Sequence, residues 1–85
     1  MAPIDIYTQV FCPYCDRARA LLERKGAAFT EHDAPNGSEN RRAASARSGG
    51  RTSVPQIFIG GQHIGGCDEL VALDRAGKLD ALLAA

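Results

Sequence analysis

The sequence predicts a single α/β domain over residues 1–85, with element order β-α-β-α-β-β-α. Three observations carry that prediction. The apolar period switches from two in "IDIYT" (4–8) to the helical repeat just beyond Pro13. Glycines stand where helical runs should stop, at Gly26 and at Gly49-Gly50. At 85 residues the chain is too short to assemble a second hydrophobic core after the first.

Each element has its own signal. Ile4 and Ile6 alternate with Asp5 and Tyr7, which is strand periodicity. From Pro13, the residues Tyr14, Ala18, Leu21 and Leu22 recur at helical spacing up to Gly26. "AAFTEHD" (27–33) reads as a second strand, "APNGS" as a turn, and "SENRRAASARSGG" as a second helix. "PQIFI" (55–59), Gly60-Gly61 and "QHI" (62–64) form a β-hairpin signal. "DELVALDRAGKLDALLA" supplies the closing helical turns, with Leu70, Leu73, Leu79, Leu82 and Leu83 facing inward. No internal repeat, low-complexity tract or linker interrupts this order.

Composition narrows the function classes. Apolar residues make up 45% and charged residues 24%, the balance of a chain that folds rather than one that stays disordered. Ten basic residues cancel ten acidic ones, so no bulk field exists to gather nucleic acid or an anionic membrane surface. "MAPIDIYTQV" has neither a basic segment nor an apolar run suited to export, and no stretch approaches the roughly 18 apolar residues of a membrane span. The expectation is a cytoplasmic protein. Three cysteines, an odd number, do not make a secreted disulfide framework.

The chemistry concentrates in "VFCPYCDRARALLERKG" (10–26), where Cys12 and Cys15 open a helix that follows a strand. A helix N-terminus presents unpaired N–H groups and partial positive charge, so a thiolate there is stabilised and its pKa falls from about 8.5. With Cys12 at the N-cap, Pro13 takes the first helical position, where its missing N–H costs nothing. The N–H groups of Tyr14 and Cys15 would then point at the Cys12 sulfur. Cys15, one turn deeper, becomes the resolving thiol within disulfide reach. The competing reading is a metal clip. Structural zinc usually needs four ligands, and beyond this pair the chain has only the isolated His32, His63 and Cys67. The position of the pair in a βαβ unit favours redox chemistry.

"CPYC" after a strand, then "TSVPQIFI" and "GGCDEL" in that order, resemble the dithiol glutaredoxins, closest to the small bacterial glutaredoxin 3 group, over essentially the whole chain. The resemblance implies a thioredoxin-like fold, a four-stranded mixed sheet flanked by helices. It implies a glutathione-dependent thiol–disulfide oxidoreductase that reduces protein–glutathione mixed disulfides and protein disulfides. Cys12 and Cys15 are then the catalytic pair, glutathione is the co-substrate, and no cofactor or metal is permanently bound.

The same resemblance assigns the glutathione contacts. The Val54–Pro55 bond should be cis, with the Val54 backbone turned toward Cys12 to pair with the cysteinyl part of glutathione; Pro55 in its own right simply begins a strand. Gly65 and Gly66 let a ligand approach the backbone. The N–H groups of Cys67 and Asp68 would hold the glutamyl α-carboxylate, and the Asp68 side chain the α-ammonium. A plain turn with Asp68 as N-cap is the simpler account. Tyr14 would lay its ring along the groove, or else be half-buried core. Cys67 is given a backbone role only, its thiol behaving as a small hydrophobe. Ser53 replaces the family's usual threonine and keeps the hydroxyl.

Gln9 stands where many glutaredoxins carry lysine. It offers a hydrogen bond worth about 1 kcal/mol where a charged donor would contribute about 1.5–3. A weaker site is expected unless an arginine substitutes. Arg51 is the nearest candidate by sequence, while Arg41, Arg42 and Arg47 read as the solvated face of the second helix. Two other functions stay open: a redoxin recharged by thioredoxin reductase, and an iron–sulfur carrier in which two chains share a cluster, against which Pro13 argues by stiffening the approach to Cys12. The expected state is a monomer, acting on glutathionylated or disulfide-containing proteins, with ribonucleotide reductase among the candidates, and with neither nucleic acid nor membrane as partner.

Overall fold

In the computed structural model, which describes residues 1–85, the chain forms β1 (Ile4–Thr8), α1 (Pro13–Arg24), β2 (Thr30–Asp33), α2 (Glu39–Arg47), β3 (Gln56–Ile59), β4 (Gln62–Gly65), α3 (Cys67–Arg75) and α4 (Leu79–Ala84). The strands lie in the order β2-β1-β3-β4. β1 runs parallel to β2 and antiparallel to β3, and β3 runs antiparallel to β4, so the four-stranded mixed sheet is as predicted.

Side-chain alternation gives the sheet two covered faces. Ile4, Ile6, Ile57 and Ile59 meet Ala18, Leu21 and Leu22 of α1, Leu70 of α3, and Leu79 and Leu83 of α4 in the main core. Leu73 and Leu82 pack against its edge. On the other face Tyr7 and Phe58 join Ala34 and Ala44 of α2 in a smaller cluster. Tyr7 is therefore buried, although it alternates with the isoleucines of the main core.

Helix ends explain where prediction and structure differ. At the end of α1, Gly26 has φ +66° and donates to Glu23, while the Ala27 N–H reaches back to the Leu22 carbonyl. This is a Schellman cap. It consumes the Ala27 donor, so β2 begins at Thr30 rather than at residue 27. The same motif divides the closing helical turns in two. Gly77, at φ +71°, donates to Asp74, and the Lys78 N–H reaches Leu73. One predicted helix thereby becomes α3 and α4, and the turn delivers Leu79 and Leu83 to the core. The hairpin carries positive φ at both Gly60 (+59°) and Gly61 (+79°), the type I′ geometry that matches strand twist.

Candidate active site

Cys12 is the N-cap of α1, with extended backbone (φ −118°, ψ 100°), and Pro13 occupies the first helical turn. Its sulfur accepts a hydrogen bond from the Cys15 N–H at 3.2 Å. Of the two amides expected to point at this sulfur, the one seen to bond is Cys15. The two cysteines are joined in a disulfide with Cα atoms 5.2 Å apart, so the structure is that of the oxidised form. Cys15 is wholly buried whereas Cys12 keeps 8% of its surface, so an incoming thiolate meets Cys12 first.

A groove of about 170 Å³ opens beside the pair, lined by Tyr14, Arg51, Ser53, Val54, Pro55, Gly66, Cys67, Asp68 and Glu69. Seven residues singled out from the sequence thus meet on one surface: Tyr14, Ser53, Val54, Pro55, Gly66, Cys67 and Asp68. The Val54–Pro55 bond is cis, and Cys12 Sγ lies 4.0 Å from the Val54 carbonyl oxygen. Tyr14 is half exposed, with the Arg17 guanidinium 5.4 Å from its ring centre.

At the far end, Gly66, not Asp68, is the N-cap of α3. The plain N-cap account of Asp68 is therefore corrected, since Asp68 sits inside the first turn with an exposed side chain. Glycine has no side chain to cap with, so the first N–H groups of α3 face the groove unpaired by any cap. Glu69 reaches back instead, accepting the Gly66 N–H at 2.7 Å and Arg51 Nη1 at 2.8 Å. The Gly66 amide, and then Arg51, hold its carboxyl below the ordinary value. Gly65 has φ +121°, and a Cβ there would stand 2.8 Å from Glu69 Cγ, so this position admits only glycine without displacing Glu69. Burial pushes the Cys67 thiol up, and Asp68 adds to the effect. Both effects disfavour the Cys67 thiolate.

Gln9 lies outside the groove lining, and its amide oxygen accepts from Arg41 Nη1 at 2.9 Å. Arg41 also donates to Ala34 O at 2.9 Å and, through Nε and Nη2, to Thr52 O at 3.0 and 2.9 Å. No carboxylate pairs with it, so its charge is left over. The assignment of Arg41 to a solvated helix face is thereby corrected, because it ties α2 to the loop before Cys12 and to the loop before β3 that holds Thr52. Arg47 is likewise engaged, 4.0 Å above the Phe58 ring and donating to Tyr7 Oη. Arg42 and Arg47 both keep the expected exposure, Arg42 bonding to Gly37 O.

Sequence reasoning missed Glu69, the positive charge beside Gln9, and Gln56. Gln56 is wholly buried, donates to Ser53 O at 3.0 Å and faces His63 Nε2 at 2.8 Å, which fixes the loop carrying Ser53 and Val54. A polar residue heading the apolar run "IFI" was the available signal.

Comparison with known proteins gives this geometry its context. The glutaredoxin family model matches residues 4–64. A glutaredoxin of Pseudomonas aeruginosa is 59% identical over 85 residues, covering all of both chains. Glutaredoxin 3 of Escherichia coli is 55% identical over 83 residues, 98% of this chain and 99% of its own. Among solved structures, a buckwheat glutaredoxin–glutathione complex superposes with a TM-score of 0.86 at 32% identity, covering 98% of this chain and 77% of that one.

Proposed function

The chain belongs to the glutaredoxin family and is a glutathione-dependent thiol–disulfide oxidoreductase, and on that premise we propose that Cys12 is its nucleophile, Cys15 its resolving thiol, and the groove beside them its glutathione site. The observation that carries the reading is the position of Cys12, capping α1 at the mouth of the groove. When the disulfide opens, the Cys15 N–H and the positive end of α1 stand ready for the charge of the Cys12 thiolate.

In the first half-reaction the thiolate attacks the glutathione sulfur of a protein–glutathione mixed disulfide. A Cys12–glutathione disulfide forms, the substrate disulfide breaks, and the protein thiolate leaves and takes a proton. A second glutathione thiolate then attacks the glutathione sulfur on Cys12. Oxidised glutathione departs and the Cys12 thiolate is restored, without involving Cys15. For a protein disulfide, Cys12 first bonds to one substrate sulfur; Cys15, deprotonated, attacks Cys12, the substrate leaves as a dithiol, and the bridge seen here is formed. Two glutathiones reduce it, so the two electrons come from glutathione in both branches.

The groove, together with the Gln9–Arg41 pair outside its lining, suits each part of the tripeptide. The free N–H groups of Cys67 and Asp68 suit the glutamyl α-carboxylate, and the Asp68 carboxylate suits the α-ammonium. The Val54 backbone suits the cysteinyl amide, with Ser53 and Pro55 shaping the wall and Tyr14 covering the ligand. At the glycyl carboxylate, Arg41 provides the charge that Gln9 lacks, and Gln9 orients the guanidinium through its amide oxygen. The same reading places the protein in the cytoplasm, as a monomer serving glutathionylated and disulfide-containing proteins, with ribonucleotide reductase among the candidates.

The test is glutathione-dependent removal of glutathione from a glutathionylated peptide, with glutathione reductase recycling the donor. Activity should vanish with Cys12→Ser and persist with Cys15→Ser, while reduction of protein disulfides needs both. Activity with thioredoxin reductase but not with glutathione would replace this reading with the redoxin one.

A further inference from the structure

Two surfaces flank Cys12, and the glutathione reading uses the first together with Gln9, which lines the second. The groove is built from residues 51–55 before β3 and 66–69 after β4, on the β3–β4 side of β1. A second cleft lies on the β2 side, lined by Thr8, Gln9, Val10 and Phe11, by Asp16 and Arg19 of α1, and by Glu31 and Asp33 of β2. The two linings share no residue.

The rim of this cleft has features that folding does not explain. Phe11 is 99% exposed and Val10 72% exposed, immediately before the nucleophile. Phe11 is also the one non-glycine residue with positive φ, at +56°, a costly conformation for a residue bearing a bulky side chain. An exposed aromatic in that conformation returns no packing to its own chain. Its floor is acidic. Thr8 Oγ1 donates to Glu31 at 2.6 Å, and Arg19 is shared between Asp16 and Glu31. The Asp33 carboxylate has no hydrogen-bond or ion-pair partner, only its backbone carbonyl being engaged, by Asn40. Three carboxylates thus face one arginine, in a chain whose charges cancel only when taken as a whole.

We infer that this cleft docks the polypeptide half of the substrate disulfide, and that it favours a target cysteine flanked by an apolar side chain and by lysine or arginine. With the glutathione half in the groove, the polypeptide half projects over the loop before Cys12. An apolar side chain can cover Phe11 and Val10, and a cationic one can reach Asp33. The inference rests on Cys12 being the nucleophile of a glutathione-dependent reaction, and adds to it a preference for the leaving polypeptide.

The experiment compares kcat/KM at low salt for three substrates: the mixed disulfide of glutathione with 2-mercaptoethanol, which has no polypeptide, and two glutathionylated peptides, Ala-Leu-Cys-Lys-Lys and Ala-Leu-Cys-Asp-Asp. The lysine peptide should be favoured about tenfold over the aspartate peptide, and Phe11→Ser should lower both peptides by about tenfold, the scale of one interface anchor. Asp33→Asn should cut the lysine preference and its salt dependence. Neither variant should alter turnover of the mercaptoethanol disulfide. Equal rates on the two peptides, or a Phe11→Ser loss that is equal on all three substrates, would overturn the inference. So would self-association of the wild type that Phe11→Ser abolishes, since a second copy would then be the occupant. Failure of the wild type on the mercaptoethanol disulfide is a different result: it would remove the glutathione-dependent reading itself, and this inference with it.

Discussion

Replacing Arg41 with glutamine removes a charge from the proposed glycyl end of the glutathione site while leaving a hydrogen-bonding side chain. Arg41 spends four N–H donors on Gln9, Ala34 and Thr52, which fixes the guanidinium. A guanidinium has five such donors, so one N–H on Nη2 and the whole uncompensated charge remain for a ligand. A hydrogen bond from a charged donor contributes about 1.5–3 kcal/mol and a neutral one about 1, a difference of roughly 0.5–2 kcal/mol. At 1.4 kcal/mol per factor of ten, KM for a glutathione mixed disulfide should rise about 2- to 30-fold in Arg41→Gln. The assay is steady-state kinetics of wild type, Arg41→Gln and Arg41→Lys at low and high salt. Because the Debye length falls from about 10 Å at 0.1 M to about 3 Å at 1 M, the difference should narrow with salt, and lysine should restore part of it. A KM that is unchanged, or that rises equally in both variants at every salt concentration, would refute the reasoning, because the role of Arg41 would then be confined to bracing Gln9 and Thr52.

Leu22 is wholly buried between α1 and the sheet, so Leu22→Ala should cost roughly 2–5 kcal/mol in urea unfolding, while activity per folded molecule stays unchanged. Glu69 gives a pH signature: its folded pKa lies below the ordinary 4.5, so its contribution to stability is present above that value and is lost as pH falls through the folded pKa. The stability gap between wild type and Glu69→Gln should therefore be level near neutrality and close in acid; a gap that widens on acidification would reverse the sign of the argument.

The fold was legible wherever short-range rules decide it. Cys12 as N-cap, Pro13 in the first turn and the Gly60-Gly61 hairpin follow from backbone donors and allowed φ values within a few residues of each position. The misjudged boundaries also have local causes, since Ala27 and Gly77 belong to helix caps whose reach a periodicity pattern does not include. In the groove, seven of the residues singled out through the family resemblance came together as one lining, with Gln9 outside it. Its charged neighbours did not announce themselves. Glu69 read as a helix surface residue and Gln56 as part of a strand, and neither pattern says which loop a side chain will hold.

By itself, then, the sequence determined the order of elements, the redox pair and its place at a helix N-terminus, because these depend on neighbours along the chain. Tertiary structure alone decided which arginine supplies charge beside Gln9, how Arg51 and Glu69 brace the Gly66 turn, and why Tyr7 is buried. It also put Phe11 beside an acidic cleft formed with β2. Those contacts join residues far apart in the chain, and they exist only once the order β2-β1-β3-β4 has closed the loops between them, since side-chain periodicity states which face a residue takes but not what lies opposite.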